Sequence, residues 1–523
     1  GGVTVTSDII DIDGTITATG AVVTLQPETA NDADSIDLGS TNENTANTLE
    51  LSNVELNAVT ALTLRVGSSA SGAITVSSVL TPANITNLSL LSDAGLSQGA
   101  GDTITVPGLR IDVDTAATLN EANVVTTLAA NVADASNAFS FKDNDTLIVD
   151  TVDGTVGVST NDSNVTINLN AGDLTQTAGA TFNGSGLELD APDGITLNEA
   201  NTITTLAARV SGSGNAQFTD ADGFSIGSVG SRDGVSTADG AITLTATTGE
   251  ITVTNVAGDD IDAGTSTVAI SADGNEGKIT ISASANVEGT GGVTFTADKM
   301  TLTGTITGTG GIVTLQPKNA DALDLGSATD NGVNTLELSD TELDQVTADT
   351  LRLGSAASGA ITISEELTPA NITNLSLLSA AGLSQGAGDT ITVTNLLIDV
   401  DEAVSLNEAN DVTILAANVA VGSNAFTFKD NDTLIIGTVD GTVGVRTSDS
   451  NVTINLNAGD LTQTSGAIFD GSGLEIVAGG SVTLTEANTI TTLAADVTGA
   501  GNSFDFTEAN GFSVGSVGST DGV

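Results

Sequence analysis

Eight carboxylates in four close pairs are the residues of this chain best spaced for chemistry. They are Asp143 with Asp145, Asp430 with Asp432, Asp112 with Asp114, and Asp399 with Asp401. In an extended chain residues i and i+2 share a face and stand about 6 to 7 Å apart. A neighbouring segment that added carbonyls or waters would then complete an oxygen cage for Ca2+. The same residues also suit a plainer role, as solvated turn positions in the DND sequences at 143–145 and 430–432 and as outward charges in the other two pairs. Neither an EF-hand loop nor a glycine-rich calcium nonapeptide surrounds them. Calcium is a candidate ligand, and no cofactor is required.

Other chemistry has little to work with. The chain has no Cys and no His, which removes thiolate nucleophiles, imidazole bases and zinc sites built on N or S ligands. A saccharide-cleaving site would need clustered acids beside a base, yet basic residues are scattered: Arg65 with its counterpart Arg352, Lys142 with Lys429, and few others. The sequence therefore predicts no enzyme. Sequons at Asn84, Asn87, Asn144 and Asn164 follow from a composition rich in Asn and Thr, as do Thr-x-Thr pairs such as Thr4 with Thr6 and Thr252 with Thr254. Phe139 and Phe141, with counterparts Phe426 and Phe428, and Phe182 with Phe469, read as plugs of an aliphatic core.

The elements that must position these residues are short strands. Among 523 residues there are 60 Gly and 6 Pro, 39% are hydrophobic and only 2% aromatic, a mixture suited to many β-segments joined by tight turns. Net charge is −55, from 66 acidic and 11 basic side chains, so nucleic acid and anionic membrane are excluded as electrostatic partners. No apolar run approaches the roughly 18 residues of a membrane span, and direct membrane insertion is not expected.

Repetition organises the chain. VTLQP at 23–27 returns at 313–317, a shift of 290, whereas TLELS moves from 48 to 335, TPANITNLSLLS from 81 to 368 and NVTINLNAGDLTQT from 164 to 451, shifts of 287. The difference falls in a trimmed turn, where PETANDADSIDLGS at 27–40 becomes PKNADALDLGS at 317–327. Residues 1–290 are read as a first long repeat and 291–523 as a second, incomplete copy continuous with it, a window on a longer array. Inside it LNEAN at 119–123 recurs at 197–201, and LNEAN at 406–410 as LTEAN at 484–488, both shifted by 78. Each echo is followed by TTLAA or TILAA, an Asn turn, Phe residues and a DG turn. Strands of about five residues, two or three per coil of roughly 20 to 25, complete the pattern. TTLAANVADASNA at 126–138 has helix-forming Ala and Leu, but its echo TTLAARVSGSGNA carries Gly and suits strand and turn.

The runs VTLQP, DLGS, TLELSDTELDQVTADTLRLGSAASGAITIS and LNEANDVTILAANVAVGSNAFTFKDND resemble repeats of giant bacterial surface proteins of the filamentous-haemagglutinin type, over nearly the whole chain. The resemblance implies a right-handed parallel β-helix shaft, exported to the cell surface and serving adhesion, aggregation or matrix formation. The secretion domain at the amino terminus of such proteins is not evident here. The predicted fold is all-β: a single-stranded right-handed parallel β-helix, or β-solenoid, forming an elongated rod with essentially no α-helix. The expected role is a structural segment of an extracellular bacterial fibre or adhesin. Its expected partners are other copies of itself and surface or matrix polysaccharide reached through divalent cations. The alternatives are a calcium-dependent carbohydrate- or cell-binding module and, less favoured, a β-helix polysaccharide-degrading enzyme.

Overall fold

Alternating β-branched and polar residues give strands with one face inward, and a computed structural model shows how those faces are buried. It describes every residue except 29–33, 43–44 and 257–259. About 58% of residues lie in strands and 2% in helix. The chain divides into two units, Gly1–Gly264 and Thr265–Val523. Each is a β-solenoid of stacked parallel coils, with about 23 turns between them. Of the longer loop at 27–40, residues 29–33 lie outside the described residues. Among the described residues no helix is long and apolar enough to cross a membrane.

Inward side chains line up from coil to coil. In the first unit Leu64 stands opposite Leu88, Leu88 opposite Leu109, Leu109 opposite Leu128 and Leu128 opposite Val149. The second unit repeats the column as Leu351, Leu375, Leu396, Leu415 and Ile436. All ten side chains are fully buried. Removal of such a side chain from water is worth about 1.5 to 3 kcal/mol, so the column offsets the ordering cost of each coil only where a neighbour covers it. Phe141 occupies another column, between Leu119 and Ile167, and Phe428 the equivalent place between Leu406 and Ile454. The six phenylalanines named from the sequence are all fully buried.

Segment 126–138 is extended through Val132, as the glycine in its echo implied, within the strand Ala117–Val132. Two single helical turns, Asn53–Asn57 and Asp340–Leu343, interrupt the strands. Both follow the pattern Ser-x-x-Glu, in which the Glu carboxylate reaches back to the Ser amide: Ser52 N donates to Glu55 at 2.8 Å and Ser339 N to Glu342 at 3.0 Å. That capping box is a sequence signal for a helix start. A turn also closes at Gly67, whose φ is +84°. A Cβ there would sit 2.2 Å from the Leu91 carbonyl of the next coil, so only glycine fits.

Among the described residues four antiparallel hairpins are added outside the parallel stack. They pair Thr151–Val152 with Thr155–Val156, Ser228–Val229 with Arg232–Asp233, Thr438–Val439 with Thr442–Val443, and Ser516–Val517 with Thr520–Asp521. Each tucks one valine inward, and Val152, Val229, Val439 and Val517 are buried.

Candidate functional site

The paired carboxylates are divided by the fold. Asp143 and Asp430 are fully buried, while Asp145 and Asp432 are exposed. Asp143 Oδ2 accepts from Val125 N at 2.9 Å and Oδ1 from Asp145 N at 3.0 Å. Asp430 repeats this with Val412 N and Asp432 N, both at 3.0 Å. The exposed partners accept the amide of the following residue, Thr146 at 2.9 Å and Thr433 at 2.8 Å. Each DND run thus sends one carboxylate inward and leaves the other in solvent, so the two do not converge on one ion.

Asp112 is half-buried; it accepts from Asn131 at 3.0 Å and pairs with Arg110. Asp399 accepts from Asn418 at 2.8 Å. Asp114 and Asp401 are half-buried, and their backbone amides join the inter-coil ladder through Ser92 and Ser379. Among the described residues no group of three or more acidic side chains is placed to hold a metal ion.

Burial without a cationic partner raises the pKa of the interior carboxylates. Asp143 is pushed up to about 6 and Asp430 to about 7, against the backbone amides that favour their charged forms. Asp220, the corresponding residue of the 78-residue echo, is raised for the same reason.

Beside each interior carboxylate lies a residue that sequence reasoning passed over. The last residue of each LNEAN or LTEAN run, Asn123, Asn201, Asn410 or Asn488, is fully buried. Here the strand turns a corner and its register against the next coil slips, as between Leu119 and Asn123. The side-chain amide takes over the bonds that the slip leaves open. Asn123 Oδ1 accepts from Gln98 at 2.6 Å and Ile104 N at 2.8 Å, while Nδ2 donates to Glu121 O at 3.0 Å and Lys142 O at 2.9 Å. Asn201, with Gln176 and the Phe182 amide, has the same arrangement, as do Asn410 with Gln385 and Ile391, and Asn488 with Gln463 and Phe469. In all four the glutamine ends an LSQ or LTQ strand 25 residues earlier. The signal was present: an invariant Leu-x-Gln at a fixed distance from an invariant Asn.

A second built cluster joins three successive coils. Arg65, Ser89 and Arg110 stand opposite one another on the outer face, and the first hairpin lays Asp153 across them. Arg65 grips that carboxylate with two bonds, of 2.6 and 2.7 Å, Ser89 donates at 2.8 Å and Arg110 at 3.3 Å. Burial alone would raise Asp153, but Arg65 and Ser89 hold it below the usual carboxylate range. In the second unit Arg352 binds Asp440 with two bonds of 2.7 Å and Ser376 adds one of 2.8 Å. The other two hairpins clasp glutamates: Ser231 N donates to Glu188 at 3.1 Å and Ser519 N to Glu475 at 2.9 Å. Acid and base do meet in these clusters. They meet as closed ion pairs and capped carboxylates, which hold coils together.

Comparison with family models, with curated proteins and with solved structures gives no match. Fold and repeated corners together define the class: the chain is a β-solenoid repeat protein built as a parallel β-helix.

Proposed function

We propose that this chain is a structural segment of an extracellular bacterial surface fibre or adhesin, of the kind that filamentous-haemagglutinin-type repeats build, and that it carries out no catalysis. One observation supports this above the rest. Much of the polar machinery of the described residues, the asparagine corners and the hairpin clasps, is directed from coil to coil and recurs in both units, the corners with the same geometry. A duplicated binding or catalytic site would instead present matched groups to solvent. Outward charge fits the same reading: 55 net negative charges repel strongly at low salt and favour a saline, divalent-rich medium. There exposed carboxylates such as Asp145 and Asp432 would bridge through Ca2+ to acidic polysaccharide, without a resident metal site.

The test is surface labelling. Antibodies raised against the purified chain should decorate intact, unpermeabilised cells of the source organism; labelling that requires permeabilisation would overturn the extracellular reading. Release of saccharide fragments by the purified chain from matrix polysaccharide would overturn the non-catalytic one.

A further inference from the structure

We propose that the first unit carries a self-association surface, an uncharged groove that packs against the same groove of a second copy of this chain. The groove has a volume of about 380 Å³ and is lined by Pro82, Ala83, Ile85, Val106, Pro107 and Val124, with threonines at its rim. Val124 is 42% exposed, and on the same run of coils Leu62 and Val79 are 46% and 45% exposed. Leu62 follows Ala61, which pairs with Ile85; Val79 precedes Leu80, which bridges to Ile104. No ionisable side chain lines the groove.

The second unit shows that the fold itself does not need these apolar side chains. At the equivalent positions, 287 residues on, Leu62 is replaced by Asp349, Val79 by Glu366, Pro107 by Thr394 and Val124 by Asp411. All four replacements are exposed, and the coils beneath keep the same strand pairing. One copy of the repeat thus has a charged surface where the other has an apolar one.

Charge selects the occupant. Two copies, each at −55, repel over most of their surfaces, and an isologous contact needs a patch that is compatible with itself. The first-unit groove meets that condition, and its second-unit counterpart opposes it with three carboxylates. A few exposed side chains fall far short of the roughly 800 Å² per partner of a stable complex. The contact is therefore weak and concentration-dependent, of use where many copies are held side by side. It rests on the fibre reading for its purpose alone; a chain that stayed monomeric would overturn the groove contact and leave surface labelling to decide that reading separately.

Sedimentation velocity on the full chain, over a range of concentrations at low and high salt, tests it. The wild-type chain should self-associate, more strongly at high salt where repulsion is screened. The triple variant Leu62→Asp, Val79→Glu, Val124→Asp installs residues that the second unit already tolerates, and should lose roughly tenfold or more in association constant, because like charges meet across the contact. The reciprocal triple variant Asp349→Leu, Glu366→Val, Asp411→Val should gain a second contact and form larger assemblies, which keeps the test open if the first variant fails to fold. A wild-type chain that is monomeric throughout, or a first variant that associates as the wild type does, would overturn the proposal.

Discussion

The two arginine clasps, at Asp153 and Asp440, differ in one member, and the difference separates what holds the coils from what merely fits between them. In the first unit Asp153 receives Arg65, Ser89 and Arg110; in the second, Asp440 receives Arg352 and Ser376. The position of Arg110 is taken by Leu397, which packs with Ala416, Val439 and Ile414. Ile414 replaces Thr127, so a cation and a hydroxyl have been exchanged together for two apolar side chains. Such an exchange is close to neutral when a partly buried charge is replaced by well-packed hydrocarbon. Arg110 also has a buried Nε with no hydrogen-bond partner. The bidentate bond from Arg65 or Arg352 and the serine bond from Ser89 or Ser376 are shared, and the third coil is held by whatever fills the space.

The comparison is sharpened first at the corners, which are alike in both units. Asn123→Leu and Asn410→Leu should each destabilise the local coils by about 3 to 5 kcal/mol, because each strands a glutamine amide and several backbone groups. Hydrogen exchange of the neighbouring strands is the suitable measure, since repeat arrays open locally. Equal loss in the two units is expected. A small loss in either would mean that the corner is held by something other than its asparagine.

The clasps should then differ. Asp153→Ala leaves Arg110, whose side chain is only 14% exposed, without that partner and should cost about 2 to 4 kcal/mol. Asp440→Ala leaves Leu397 untouched and should cost about 1 to 2 kcal/mol. Exchange protection of the hairpin amides would report both. Losses of the same size would show that the arginine at the third coil contributes nothing beyond packing.

A separate effect is expected from pH, at the buried carboxylates beside the corners. A raised carboxylate pKa means that the folded state binds its proton more tightly than the unfolded chain does. Stability present below the ordinary value of 3.8 is lost as pH rises, up to about 6 at Asp143 and about 7 at Asp430. Carboxyl-carbon NMR titration should therefore find both corner carboxylates titrating well above the ordinary range. Two ordinary carboxylate titrations would contradict that assignment.

Much of this architecture could be read before any coordinates. Thr, Val and Ile in alternation, Gly and Asn at the turns, and the shifts of 287 and 78 residues led directly to stacked parallel strands. Two of the hairpins were visible only as DG turns, at 153–154 and 440–441, since two-residue strands carry almost no periodic signal. Their clasps were invisible, because Arg65 and Asp153 lie 88 residues apart.

Aliphatic inward positions and the need of each coil for a neighbour follow from the residues alone, since strand alternation and repeat length are local properties of the chain. Which polar residues go inside depends on how the coils pack. In the run LNEAN, Asn120 is exposed and Asn123 is fully buried; in DND, Asp143 is buried and Asp145 is in solvent. The residue types are the same within each pair. What separates them is the corner, where the register slips and unpaired backbone groups of the next coil, about 20 residues away, need a polar side chain to satisfy them.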